Sequence, residues 1–194
     1  MTQMLEDGRV GGQGEHRVRF EPVSKRVRTY FGGIPVADST RVEMMFETGH
    51  LPVYYFPLED VHKDLLRRTH HHTRCPYKGE ASYYSVEVAG KVAENAVWRY
   101  EEPLPEAPPE LANLVAFYWS KMDAWFEEDD EVYVHPRDPY KRVDVLQSSR
   151  HVQVFVAGQL VADTHRPRLL FETDLPTRYY IPKMDVRLDL LEDS

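Results

Sequence analysis

The chain of 194 residues holds a single cysteine, Cys75, which excludes an intrachain disulfide and a thiolate-rich zinc site. It also lacks any run near the roughly 18 apolar residues of a membrane helix. Met1 to Gln13 is polar and lacks the apolar centre of a signal peptide, so a cytoplasmic protein without membrane association is expected. Basic charge is short as well: 24 Lys and Arg face 32 Asp and Glu, a formal net charge of −8. Without a basic stripe, nucleic acid is excluded as the main partner. No G-x-x-x-x-G-K-[ST], G-x-G-x-x-G or G-x-S-x-G is present, which sets aside P-loop ATPases, Rossmann dehydrogenases and serine hydrolases.

What remains is an ordinary globular composition, 42% hydrophobic and 29% charged, enough for one sizeable domain or two small ones. An internal repeat organises it. Displaced by 125 positions, residues 28–66 overlie residues 153–191 without a gap, with 16 identities in 39 positions. Asp38, Arg41, Glu47, Tyr54, Tyr55, Asp60 and Asp64 recur as Asp163, Arg166, Glu172, Tyr179, Tyr180, Asp185 and Asp189. Nothing after Leu191 answers to the segment that follows Leu66, so the second copy is a partial one. If the missing part supplies strands, the second copy carries exposed sheet edges.

Strand signals dominate. Arg26 to Phe31, a Gly32-Gly33 turn and Ile34 to Ala37 predict a hairpin, which Val152 to Val156 and Leu160 to Ala162 repeat. Strands are also expected at Val42 to Glu47, Val53 to Phe56, Ser82 to Ala89, Lys91 to Ala93, Val115 to Trp119, Val132 to His135 and Val143 to Leu146. Pro57 to Val61, its copy Pro182 to Val186, and Glu110 to Leu114 predict single helical turns. The expected organisation is a disordered leader (1–16), a complete first repeat (17–126), an acidic linker and connecting strand (127–142) and a partial second repeat (143–194). The acidic run Glu127 to Glu131 reads as a solvated link.

Reactive groups concentrate in Thr69 to Gly79. Cys75, flanked by Arg74 and Lys78, has the setting of an activated thiolate, and equally that of a small apolar residue at a Pro76 to Gly79 turn. His70 and His72 share a face if the tract is a strand, where Asp38, Glu47 or Asp60 would complete a metal site; surface histidines in a loop are the plainer account. Of the charges shared by both copies, Asp60, Asp64, Asp185 and Asp189 read as structural, because the second copy lacks the reactive loop; Glu47 suits a structural or a functional role equally, and two pockets with only one armed is the alternative. Tyr54-Tyr55-Phe56, Tyr83-Tyr84, Trp98, Tyr100 and Phe117-Tyr118-Trp119 suit either a core or a ligand pocket between sheets.

The strings Tyr30-Phe31-Gly32-Gly33, Val36 to Arg41, Glu47-Thr48-Gly49-His50, Pro52 to Pro57, Thr73 to Gly79 with Ala81-Ser82-Tyr83, and Glu94 to Trp98 resemble the bacterial family named domain of unknown function 427. The resemblance covers about Arg26 to Trp125 in full and Val152 to Leu191 in part. It implies an all-β, β-tent-like fold of antiparallel sheets; together with the repeat read from the chain itself, the expected fold is a tandem internal repeat with its second copy truncated. Its fold relatives hold zinc through paired C-x-x-C motifs, which this chain lacks, so no metal or cofactor is assigned.

The expected function is binding of an unidentified small molecule in a polar and aromatic pocket near the Cys-Pro-Tyr-Lys-Gly loop, with enzymatic activity left open. Cys75, Lys78 and Glu47 are the candidate catalytic groups, and Tyr55, Tyr83, Asp38, His72 and Trp98 the candidate ligand contacts. Two other readings stay open: an interaction module that forms a homo-oligomer through the half-repeat, and a redox enzyme that uses Cys75.

Overall fold

The structure, a computed structural model, describes residues 16–136, 139–140, 142–173 and 175–192. It is all-β, with antiparallel ladders and short 3-10 turns, and no described helix is long and apolar enough to cross a membrane. Among the described residues the chain forms two compact units: 16–126 with 131–136, and 127–130 with the residues from 139 onward.

In unit 1, nine strands precede a Trp-rich segment: β1 (Val18–Pro22), β2 (Val27–Phe31), β3 (Ile34–Ser39), β4 (Glu43–Glu47), β5 (Val53–Pro57), β6 (Leu66–Cys75), β7 (Gly79–Val88), β8 (Lys91–Arg99) and β9 (Leu114–Phe117). Seven of them form one sheet in the order β1-β4-β5-β9-β8-β7-β6. The β2–β3 hairpin is joined by β10 (Ala124–Glu127), which with β11 (Asp130–Glu131) spans the passage between units.

Alternation along β5 separates two apolar layers, since neighbouring strand residues face opposite sides. Tyr54 and Phe56 join Val27, Val36, Val97, Phe117 and Trp125 in one cluster, whereas Tyr55 joins Met45, Tyr83, Tyr100 and Leu111 in the other. The β2–β3 turn lies so close to β7 that a Cβ on Gly32 would stand 2.7 Å from Val88 Cγ1. Only glycine fits there, and its φ of +60° adds a second reason.

Unit 2 contains β12 (Val143–Gln147), β13 (Val152–Val156), β14 (Gln159–Thr164), β15 (Arg168–Glu172) and β16 (Arg178–Tyr180). Each starts 125 residues after its counterpart among β1 to β5, as Val143 does after Val18. Register follows too: Val18 opposes Glu47 and Val143 opposes Glu172, while Glu43 opposes Tyr55 and Arg168 opposes Tyr180. The bulge between Thr29 and Tyr30 recurs between Val154 and Phe155. One duplicated pair of charges makes the same bonds in both units. Asp60 accepts from Ser39 Oγ and Arg41 Nη2, both at 2.6 Å. Asp185 likewise accepts from Thr164 Oγ1 at 2.7 Å and Arg166 Nη2 at 2.9 Å.

Several expectations need correction. Val132 to His135 forms no strand, because Val134 sits at φ 76°, outside extended geometry. The histidine tract lies on β6, not in a loop, since β6 pairs with β7 on either side of a bulge. The acidic run is not a solvated link throughout: Glu127 and Glu128 are buried. Glu128 accepts from Ser148 Oγ at 2.9 Å and from Arg150 Nε at 3.0 Å, inside unit 2. The leader lies outside the described residues except for His16, which is engaged with Glu47 at 3.1 Å.

Candidate functional site

The β6–β7 hairpin builds one wall of the site. Its last pair is Cys75 with Gly79, so Pro76, Tyr77 and Lys78 form the tip. Gly79 has φ +106°, and a Cβ there would come within 3.3 Å of Glu102 O. This backbone, tied by Leu104 N–H to Lys78 O at 3.1 Å, turns Lys78 into the protein.

Lys78 is 4% exposed and its ammonium forms an ion pair with Glu47, 9% exposed, at the end of β4. The second Glu47 oxygen lies 3.1 Å from His16 Nε2, and the His16 ring stacks on Tyr77 with centroids 3.5 Å apart. The ammonium also lies 5.8 Å from the centre of the Tyr100 ring, within cation–π range. Burying two opposite charges carries a desolvation cost that their attraction offsets only when the geometry is good.

These groups border a cavity of about 930 Å³. Its lining draws on both apolar clusters and on the loop 48–52, and includes Cys75, Tyr55, Tyr83, Trp98, Tyr100 and Tyr118. The aromatic groups are bonded to one another. Trp98 Nε1 donates to Tyr55 Oη at 3.1 Å, and Tyr83 Oη lies 2.9 Å from Thr73 Oγ1 and 3.4 Å from Tyr118 Oη. Burial raises the pKa of Tyr55, Tyr100 and Tyr118, and for Tyr118 the bond with Tyr83 adds to it. The phenols therefore stay protonated at neutral pH and offer hydrogen bonds, not phenolate bases.

Of the residues singled out from sequence, Glu47, Tyr55, Cys75, Lys78, Tyr83 and Trp98 come together at this cavity. Asp38 and His72 are not among its lining residues. Asp38 accepts from Arg26 Nε at 2.7 Å, and exposed His72 lies 3.5 Å from Glu80. Glu47, Asp38 and Asp60 are thus each engaged away from the histidine tract. Cys75 is half-buried against the cluster that contains Tyr55 and Tyr83. Sequence reading missed His16 as part of the site, and left Tyr100 and Tyr118 between core and pocket, where the structure puts both on the cavity lining. His16 stands 31 residues from Glu47, and only the pairing of β1 with β4 joins them.

Fold and site together define a small antiparallel β domain with a buried lysine–carboxylate pair on an aromatic cavity. The chain belongs to the family described as Domain of unknown function (DUF427), whose model matches residues 19–128 and 144–194. No curated protein matches it.

Proposed function

We propose that unit 1 is a small-molecule-binding domain whose ligands carry an anionic group and a flat ring. The buried Lys78–Glu47 pair on the wall of an aromatic cavity carries this reading. A buried ion pair adds little net stability over apolar residues of the same size, so its presence favours a role in recognition. In this reading Lys78 meets the ligand anion, Glu47 and the phenols accept or donate hydrogen bonds, Trp98 and the tyrosines cover the ring, and Cys75 is wall. The cavity size lies within the range of small-molecule sites. A cytoplasmic setting, where a lone thiol stays reduced, suits the assignment.

A thermal-shift screen of metabolites tests it, using wild type, Lys78→Met, Tyr83→Phe and Cys75→Ser. Stabilising hits should be enriched in carboxylates and phosphates, lost in Lys78→Met, weakened in Tyr83→Phe and kept in Cys75→Ser. Hits that ignore ligand charge and persist in Lys78→Met would sink the reading.

A second reading, in which unit 2 mediates self-association, rests on its exposed apolar residues. Tyr54 and Tyr55 are 2% and 0% exposed, whereas their counterparts Tyr179 and Tyr180 are 48% and 53% exposed. Among the described residues β16 pairs on one side only, with β15, whereas β5 pairs with both β4 and β9. The occupant of this edge is then a second copy of the chain, adding strand to strand. Sedimentation of wild type and Tyr179→Lys/Tyr180→Lys decides it: a concentration-dependent dimer lost in the variant supports the reading, and a wild-type monomer at high micromolar concentration removes it.

A further inference from the structure

We propose that unit 2 carries a transition-metal site formed by His151, Asp163 and His165. One ligand atom from each of the three lies within 4.8 Å of the other two. His151 immediately precedes β13, Asp163 lies on β14, and His165 follows the end of β14. The β13–β14 ladder therefore fixes the site, since its first pairs set Val152 against Thr164 and Gln153 against Asp163. The two imidazole rings stack with centroids 4.0 Å apart and planes 13° from parallel. His151 Nε2 lies 2.7 Å from Asp163 Oδ1. Gln153 Nε2 donates to Asp163 Oδ2 at 2.9 Å, holding the carboxylate so that its other oxygen faces the imidazoles.

Two imidazoles and one carboxylate form a donor set suited to divalent zinc, cobalt, nickel or copper, and less to magnesium or calcium. Metal bonds of about 2.0–2.2 Å set tetrahedral ligand atoms roughly 3.3–3.6 Å apart, so side-chain rotation has to open the 2.7 Å contact between His151 and Asp163 and turn the stacked imidazoles toward a common point. All three residues are exposed, so water fills the remaining coordination positions.

Comparison of the two units separates this cluster from a chance meeting of surface side chains. The counterparts of His151, Asp163 and His165 in unit 1 are Arg26, Asp38 and Thr40. There the aspartate forms an ion pair with Arg26, whose guanidinium cannot ligate a metal. Unit 2 keeps the aspartate and the hairpin beneath it, and replaces the two flanking residues with histidines. The change converts a structural ion pair into three convergent ligands. The histidine tract of β6 is a separate feature on unit 1.

Cobalt titration of the metal-stripped full chain, followed by visible absorption and repeated with zinc by calorimetry, tests the proposal. Wild type should bind one equivalent saturably. Asp163→Asn should abolish binding. So should H151R/H165T, which installs the unit 1 residues at both positions and is therefore compatible with the hairpin fold. Gln153→Leu should weaken binding about ten-fold, as expected for loss of a group that orients a ligand. His70→Ala/His71→Ala/His72→Ala should leave the one-equivalent site intact. The proposal is overturned if wild type shows no saturable binding, if H151R/H165T binds like wild type, or if the tract variant is the one that loses the site.

Discussion

Replacing Glu47 with Gln removes one charge of the buried pair while keeping an oxygen for His16 and nearly the same volume. The side chains of Lys78 and Glu47 are 5% and 6% exposed, so solvent screens the pair little. Removing one partner strands the other charge, at a cost of about 3–5 kcal/mol. For a unit of this size each kcal/mol moves the melting point by about 4–8 °C, so Glu47→Gln should lower it by about 12 °C or more. Lys78→Met should fall in the same range. The double variant Glu47→Leu/Lys78→Met should be close to wild type, because removing both charges leaves neither unpaired. Urea unfolding followed by tryptophan fluorescence reads unit 1 alone, since all three tryptophans, Trp98, Trp119 and Trp125, lie in it. Single-variant losses below about 1 kcal/mol, the size of a solvent-exposed pair, would refute the argument. So would a double variant that loses the sum of the two singles, since that leaves no coupling between them.

Two backbone positions and one carboxylate give further tests. Gly32→Ala should cost about 2–5 kcal/mol, from overpacking against Val88 and left-handed strain together, as read by the urea midpoint. The counterpart Ala157 already has a Cβ at φ 50°, so Ala157→Gly should change stability by less than about 1 kcal/mol; equal effects at the two sites would remove the role given to β7. Asp185 has its pKa lowered to about 2, first by the bond from Arg166 and then by that from Thr164. A lowered carboxylate pKa means that the contact contributes above the ordinary aspartate range and is lost as pH falls through about 2. Carbon-detected NMR titration of the Asp185 carboxyl should show its midpoint rising in Arg166→Met; an unmoved midpoint would exclude Arg166 as the cause.

Much of the fold was legible before the structure. Alternating Val, Tyr and Phe marked the β2–β3 hairpin and its copy, and the glycines placed their turns, because a pleated strand with one buried face imposes that period directly. The histidine tract was harder. Thr69 to Thr73 has no apolar alternation, since this part of β6 is exposed and its partner β7 supplies the buried face. A strand held by pairing alone leaves little hydrophobic signal. The acidic run misled for the opposite reason: five successive acids read as solvated, yet Arg150 and Ser148 lie beside Glu128. Such compensation of a buried charge comes from residues about 20 positions away.

The lone cysteine drew attention to its hairpin, and the sequence by itself determined the strand-rich composition, the 125-residue correspondence and the presence of a cation beside Cys75. Only the tertiary structure decided what that cation meets. Lys78 finds Glu47 because Gly79 turns the hairpin tip inward and β4 lies in the same sheet, pairings that close over long loops. The correspondence between units likewise could not tell which duplicated residues would be buried. Tyr55 and Tyr180 are identical in sequence, and they differ because β7 to β9 cover one, whereas no described strand pairs with the free side of β16. Burial is a property of neighbours, and neighbours across a sheet are set by pairing, not by position along the chain.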